Sequence, residues 1–233
     1  MSDQPIFEAE YVERRSRLTT FFRYVLAIPH FIVLWAWGFV ATFAVIAAWF
    51  ALVFTGRYPK PLYDFVAGLL RYSTAVYGYI ALLTDDYPPF SADTDRYPTR
   101  IRIPPPKPEY DRIKVLLRIF LAIPVLIIAY AMQVVYSVGA FVAWFAIVLL
   151  GKQPKGLQDM IVLGLSYQQR AYAYVALLTE DWPPFLDQQG GSLPAGAPGG
   201  SGLPAAPATS APPAAPEAPA HRGGLSGGDP LDG

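Results

Sequence analysis

Two stretches of the chain carry no Asp, Glu, Lys or Arg: residues 24–56, between Arg23 and Arg57, and residues 119–151, between Arg118 and Lys152. Each is 33 residues long. A run of about 18 apolar residues is already a candidate transmembrane helix, because about 20 cross the ~30 Å hydrocarbon core of a bilayer. The soluble alternative is a pair of central helices that are apolar all round, and these need a large protein to cover them. The first stretch does not read as a signal peptide, being too long, starting too late and lacking a small-residue cleavage site. The pattern predicts an integral membrane body.

At ~1.5 Å per residue each stretch would make a helix about 50 Å long, more than the bilayer core requires. Pro29 and Pro124 stand near the two starts, where proline suits a first helical turn or forces a kink. The expectation is therefore a basic, partly amphipathic entry helix at 13–27, followed by a span from Pro29 to Thr55. In the second half the entry helix is expected at 110–122 and the span from Pro124 to Leu150. Short polar turns, GRYPK at 56–60 and GKQPK at 151–155, lead to second apolar helices at about 61–83 and 156–178. Arg71 interrupts the first of these, and Gln168-Gln169-Arg170 the second.

The two halves are copies. Shifted by 95 positions, residues 17–90 align with 112–185 without a gap, and 31 of 74 positions are identical. Arg23 falls on Arg118, Leu26-Ala27-Ile28-Pro29 on Leu121-Ala122-Ile123-Pro124, and LLTDDYPPF at 82–90 on LLTEDWPPF at 177–185. Such self-similarity marks a duplicated structural unit. The predicted architecture is an all-α integral membrane protein, a tandem repeat of a two-helix membrane unit with interfacial entry helices. Its segments are an N-terminal stretch 1–16, repeat one at 17–90, a Pro-rich polar linker at 91–111, repeat two at 112–185 and a tail at 186–233.

Basic residues suggest a topology. Arg14, Arg15, Arg17 and Arg23 lie near the N-terminus, and Arg96, Arg100, Arg102, Lys107, Arg112, Lys114 and Arg118 in or beside the linker. Four crossings put N-terminus, linker and tail in the cytoplasm, in line with the positive-inside tendency. Two shallow hairpins, turning near Gly38 and Gln133 with the second helices flat on the membrane, satisfy the same charges. Their arms of about 15 residues are short for a full crossing.

Composition narrows the function. All 34 aromatic residues fall within 1–186, so the tail, with nine of the 24 prolines and eleven of the 19 glycines, has the composition of a disordered segment. There is no cysteine, which excludes disulfides and thiolate metal sites, and histidine occurs only at His30 and His221. A net charge of +0 gives no reason to expect nucleic-acid binding. No nucleophile–base pair, phosphate-binding glycine loop or paired carboxylates with a cleft can be read, so neither an enzyme nor a cofactor is expected.

The residues worth following are the polar ones near the apolar stretches. Asp64 and Asp159 occupy equivalent places at the start of the second helices, where a carboxylate suits the helix dipole. A sharper reading pairs Asp64 with Arg23 or Arg71 in a polar track, since intramembrane ionisable groups are costly and often functional. The symmetry is incomplete, because Arg71 aligns with Ser166 and Arg170 with Ala75. Gln133 and Ser137, opposite Gly38 and Thr42, read as helix-packing positions. His30 reads as interfacial, and the Tyr-Pro-Pro-Phe and Trp-Pro-Pro-Phe blocks as helix stops with aromatic anchors at the headgroup level.

The blocks LAIPH, AWFA followed by GRYP, the segment LYDFVAGLLR and the terminal LLTDDYPPF together resemble the bacterial membrane-protein family of domain of unknown function 4389. The second copy departs from them at Gln153, Gln158 and Met160. The resemblance implies an actinobacterial-type plasma-membrane protein of unassigned activity and supplies no catalytic residues. The expected function is a membrane scaffold or interaction module whose partner is the bilayer, with other membrane proteins or a second copy as further partners. The alternative is a small transporter or channel subunit using the repeat interface, and an enzyme acting on lipid is a distant third.

Overall fold

The computed structural model describes residues 4–184 and the backbone of 192–194. It is mostly helical, and each repeat supplies one long and one short helix. The elements in order are β1 (Ile6–Tyr11), α1 (Arg17–Thr55), α2 (Lys60–Ile80), β2 (Thr99–Arg102), α3 (Arg112–Leu150), α4 (Lys155–Val175) and β3 (Ser192–Pro194). The expected division into entry helix and span does not occur. Pro29 lies inside α1 and Pro124 inside α3, and both helices run unbroken for 39 residues. Proline removes only one ladder bond, and the turns on either side hold the helix together.

Both long helices have the same caps. Ser16 Oγ accepts from Thr19 N–H, and Asp111 carboxylate from Ile113 and Lys114 N–H, satisfying donors a helix start leaves unpaired. Gly56 and Gly151 end the helices at φ 71° and 72°, a left-handed conformation that costs glycine little. The short helices end on leucine instead. Leu82 and Leu177 sit at φ 66° and 65°. Leu82 N–H donates to Tyr79 O and Leu83 N–H to Gly78 O, with Leu177 and Leu178 repeating the pattern on Tyr174 and Ala173. This is a Schellman turn. Both leucines are buried, and that packing offsets a backbone strain of ~1–2 kcal/mol.

The all-α expectation needs amending. β1 pairs antiparallel with β2, Phe7 opposite Ile101, and parallel with β3, Ala9 opposite Ser192. The sheet order is β2-β1-β3. The linker is therefore part of the packed body, and so is one short piece of the expected tail; the rest of 185–233 lies outside the described residues. Three layers result. α1 and α3 touch each other, α2 packs between α1 and β2, and α4 packs on α3 and on β1. The short helices are buried along most of their length. By contrast only 17% of the apolar window of α1 and 28% of that of α3 is buried. Both are long and apolar enough to cross a membrane.

The ends of the helices meet in an order that four crossings do not allow. Gln153 N–H donates to Glu13 O and Arg15 N–H to Gly151 O, so the turn after α3 sits beside the N-terminal segment. Ser16 N–H reaches Asp85 at 2.9 Å. At the opposite end Tyr110 N–H donates to Gly56 O, and Tyr63 hydroxyl to Pro104 O at 2.5 Å. Four crossings would set residues 13–15 and 151–153 on opposite sides of the bilayer. The two are hydrogen-bonded neighbours, because α3 runs antiparallel to α1 and starts where α1 ends.

Candidate functional site

Arg23 and Arg118, identical positions of the two repeats, each reach from a long helix to the closing turn of a short one. Arg23 is 1% exposed. Its Nη1 donates to Tyr79 O and Thr84 O, its Nη2 lies 2.5 Å from Asp85 carboxylate, and the guanidinium stands over the Tyr79 ring. The left-handed Leu82 turns the chain so that Thr84 O faces the arginine. The cluster unites Arg23 with Asp85, not with Asp64 or Arg71.

Arg118 is only partly matched. It is 4% exposed, Nη2 donates to Thr179 O at 2.9 Å, and the guanidinium lies 3.8 Å from the Tyr174 ring centroid. Its buried Nε and Nη1 meet no acceptor in good hydrogen-bond geometry among the described residues, and neither does Arg23 Nε; burial lowers the Arg118 pKa against the opposing pull of the Tyr174 side chain and Glu180. Glu180, the repeat mate of Asp85, points elsewhere, accepting from Lys107 Nζ at 3.1 Å and Asp111 N–H at 2.6 Å.

The other expected residues do not form a track. Asp64 is exposed and paired with Lys60 at 2.6 Å, an i,i+4 surface pair. Asp159 is likewise exposed, and Arg71 is half-buried on α2. Arg170 is buried and holds Ser166 O and Oγ at 3.2 and 3.0 Å, one turn back on its own helix. Gln133 Oε1 accepts from Gln168 Nε2 at 3.1 Å, fastening α3 to α4 as a packing position should. Gly38 makes no close packing contact; a Cβ there would meet nothing within 4 Å. His30, expected at the membrane face, is instead fully buried, bonded through Nδ1 to Tyr72 hydroxyl at 2.6 Å and stacked on Phe90. The first aromatic-proline block thus packs onto α1, where Tyr87 hydroxyl also donates to Leu26 O.

Sequence reasoning missed Arg15. Its guanidinium donates to Leu83 O, Gln153 Oε1 and Gln158 Oε1, and burial lowers its pKa against the opposing pull of Asp85. The repeat mates of Arg15, Gln153 and Gln158 are Tyr110, Tyr58 and Tyr63, which cluster at the other end of the molecule. A polar trio at one end replaces an aromatic trio at the other. The departures of the second copy at Gln153 and Gln158 carried that signal.

A family model described as Domain of unknown function (DUF4389) matches residues 17–92 and 112–187, more than half of the chain. Neither the curated proteins nor the solved structures gave a match.

Proposed function

We propose that this chain, which belongs to the family described as Domain of unknown function (DUF4389) and holds two copies of its domain, is a non-enzymatic membrane scaffold seated in the cytoplasmic leaflet. The carrying observation is the division of its layers. The outward faces of α1 and α3 are apolar and uncovered, with Phe21, Ile32, Trp35, Phe39, Phe120 and Phe141 among their exposed side chains. Contiguous uncovered apolar faces of this kind mark contact with lipid or protein. The opposite layer holds the sheet and its ion pairs, Arg100 with Glu8 at 2.5 Å and Arg102 with Glu8 at 3.4 Å.

Crossing by the short helices is disfavoured physically. β2 runs beside α2, with Thr99 packed where a Cβ on Gly78 would stand. If α2 spanned the bilayer, these ion pairs and the sheet edges would lie at hydrocarbon depth, where unsatisfied backbone and charge are costly. Basic residues are also shared between the two ends of the molecule, Arg14, Arg17, Lys152 and Lys155 at one and Arg57, Lys60, Arg112 and Lys114 at the other. Crossing would separate the groups without the asymmetry that orients membrane proteins. One-sided insertion keeps both ends and the sheet in water, where the sheet layer is free to dock partners.

Single cysteines test this against an empty background, since the chain has none. At the exposed positions 57, 95 and 152 all three should resist an impermeant thiol reagent in intact cells and react in inverted vesicles. Labelling of 57 or 152 from outside would overturn the one-leaflet reading. In liposomes the scaffold reading expects no solute or ion flux above that of empty vesicles.

A further inference from the structure

Between α1 and α3 lies an apolar cavity of about 500 Å³ floored by the end of α4. Val45, Ile46 and Trp49 of α1 face Ile119, Ala122 and Leu126 of α3 across it, and Arg118 lines its wall. Trp49 indole N–H donates to Val115 O at 3.2 Å, tying the two long helices together beside the arginine. Past Val45 and Ile46 a second cavity of about 490 Å³ continues between α1, α2 and α4. Both volumes fall in the ~300–1,000 Å³ range of small-molecule sites.

We infer that Arg118 and this groove form a binding site for one anionic phospholipid, its headgroup on the guanidinium and an acyl chain between α1 and α3. The repeat supplies the argument. Arg23 has its carboxylate in Asp85, whereas at the matching position Glu180 is engaged by Lys107 and the Asp111 N–H. Arg118 thus has no carboxylate in contact, its charge favoured by the Tyr174 side chain and at longer range by Glu180, and its buried Nε and Nη1 meet no acceptor in good hydrogen-bond geometry among the described residues, beside an apolar cavity. A buried cation without matched hydrogen bonds is costly. A phosphodiester supplies both the charge and the acceptors, and the guanidinium fork matches its oxygens. A free anion would leave the groove empty. Burying an acyl chain there adds the apolar stabilisation that a bare headgroup lacks, so the complementary ligand carries charge and chain in one molecule. The site rests on the lipid-facing reading of α1 and α3.

The full chain, reconstituted in nanodiscs of phosphatidylcholine with an equal share of phosphatidylglycerol, is released for native mass spectrometry and its retained lipid counted. One phosphatidylglycerol should stay bound in preference to phosphatidylcholine by about tenfold or more. Arg118→Gln should abolish the preference and Arg118→Lys retain part of it. Ile119→Trp, which fills the groove and leaves the arginine in place, should lose the bound lipid as well. Equal retention of the two lipids would overturn the site, and so would survival of the preference in Ile119→Trp or displacement by inorganic phosphate. Should Arg118→Gln fail to fold, Ile119→Trp carries the test alone. Normal incorporation into pure phosphatidylcholine discs leaves the membrane reading standing whichever way the lipid count falls.

Discussion

Removing Asp85 would leave the Arg23 guanidinium, which is 1% exposed, without the one carboxylate it pairs with among the described residues. Breaking a buried ion pair from one side costs about 3–5 kcal/mol; the Asp85 side chain keeps 26% exposure, which puts Asp85→Asn at the lower end. Asp64→Asn breaks only an exposed i,i+4 pair with Lys60, worth about 0.3–0.5 kcal/mol. Thermal unfolding of the two variants in detergent should rank them clearly, Asp85→Asn several degrees below the parent and Asp64→Asn within error. Equal losses would mean that Asp64 has the structural role its repeated position suggests. Sequence could single out Arg23 and Arg118, because an arginine beside an uncharged stretch is conspicuous. It could not choose their partners, since carboxylates at 64 and at 85 both recur in the repeat, and only the antiparallel return of α2 brings Asp85 to Arg23. Arg15 was invisible for a different reason. It lies among other basic residues, and nothing local tells a buried guanidinium from a solvated one.

At the scale of elements the repeat, the existence of the four helices and the polar turns between them are legible, because length, apolar runs and turn residues fix them locally. The short helices end three residues before the apolar runs suggest, because Leu82 and Leu177 adopt a conformation that usually calls for glycine. β1 and β2 were not read at all: their buried positions include Glu8, Thr99 and Arg100, whose inward polarity is satisfied across strands and gives no alternating apolar signal. Close packing was misplaced for a similar reason. A Cβ on Gly78 would come within 2.4 Å of Thr99 Cγ2, and one on Gly164 within 2.6 Å of Met132 O, whereas Gly38 is open. Gly78→Ala must push β2 off α2, and Gly164→Ala must part α4 from the α3 backbone. Both should lower the melting temperature by several degrees, at ~1–3 kcal/mol for overpacking. Gly38→Ala should be neutral or stabilising by up to about 1 kcal/mol, because alanine suits a helix interior better than glycine. A stabilised Gly78→Ala would mean that β2 is not held against α2.

For the whole molecule the expectation that changes most concerns the segment after the second repeat. A tail without aromatic residues, rich in Pro, Gly and Ala, ought to be removable without effect. Ser192–Pro194 nevertheless pairs with Ala9–Tyr11, so those residues close one edge of a sheet whose other edge is the linker strand. β1 is held on both sides, and through Gln158, which donates to Glu10 O at 3.1 Å, it is tied to α4. A chain ending at 199 retains β3, whereas a chain ending at 186 exposes the β1 edge to water. The first should match the full chain in melting temperature. The second should fall by a few degrees, with faster amide hydrogen exchange confined to residues 6–11 and their partners at 99–102. α1 and α3 make no comparable contact with the sheet, so their exchange should not change. Identical melting and exchange for the two truncations would mean that β3 contributes nothing, and that the sheet layer ends at β1 with one edge open for a partner strand.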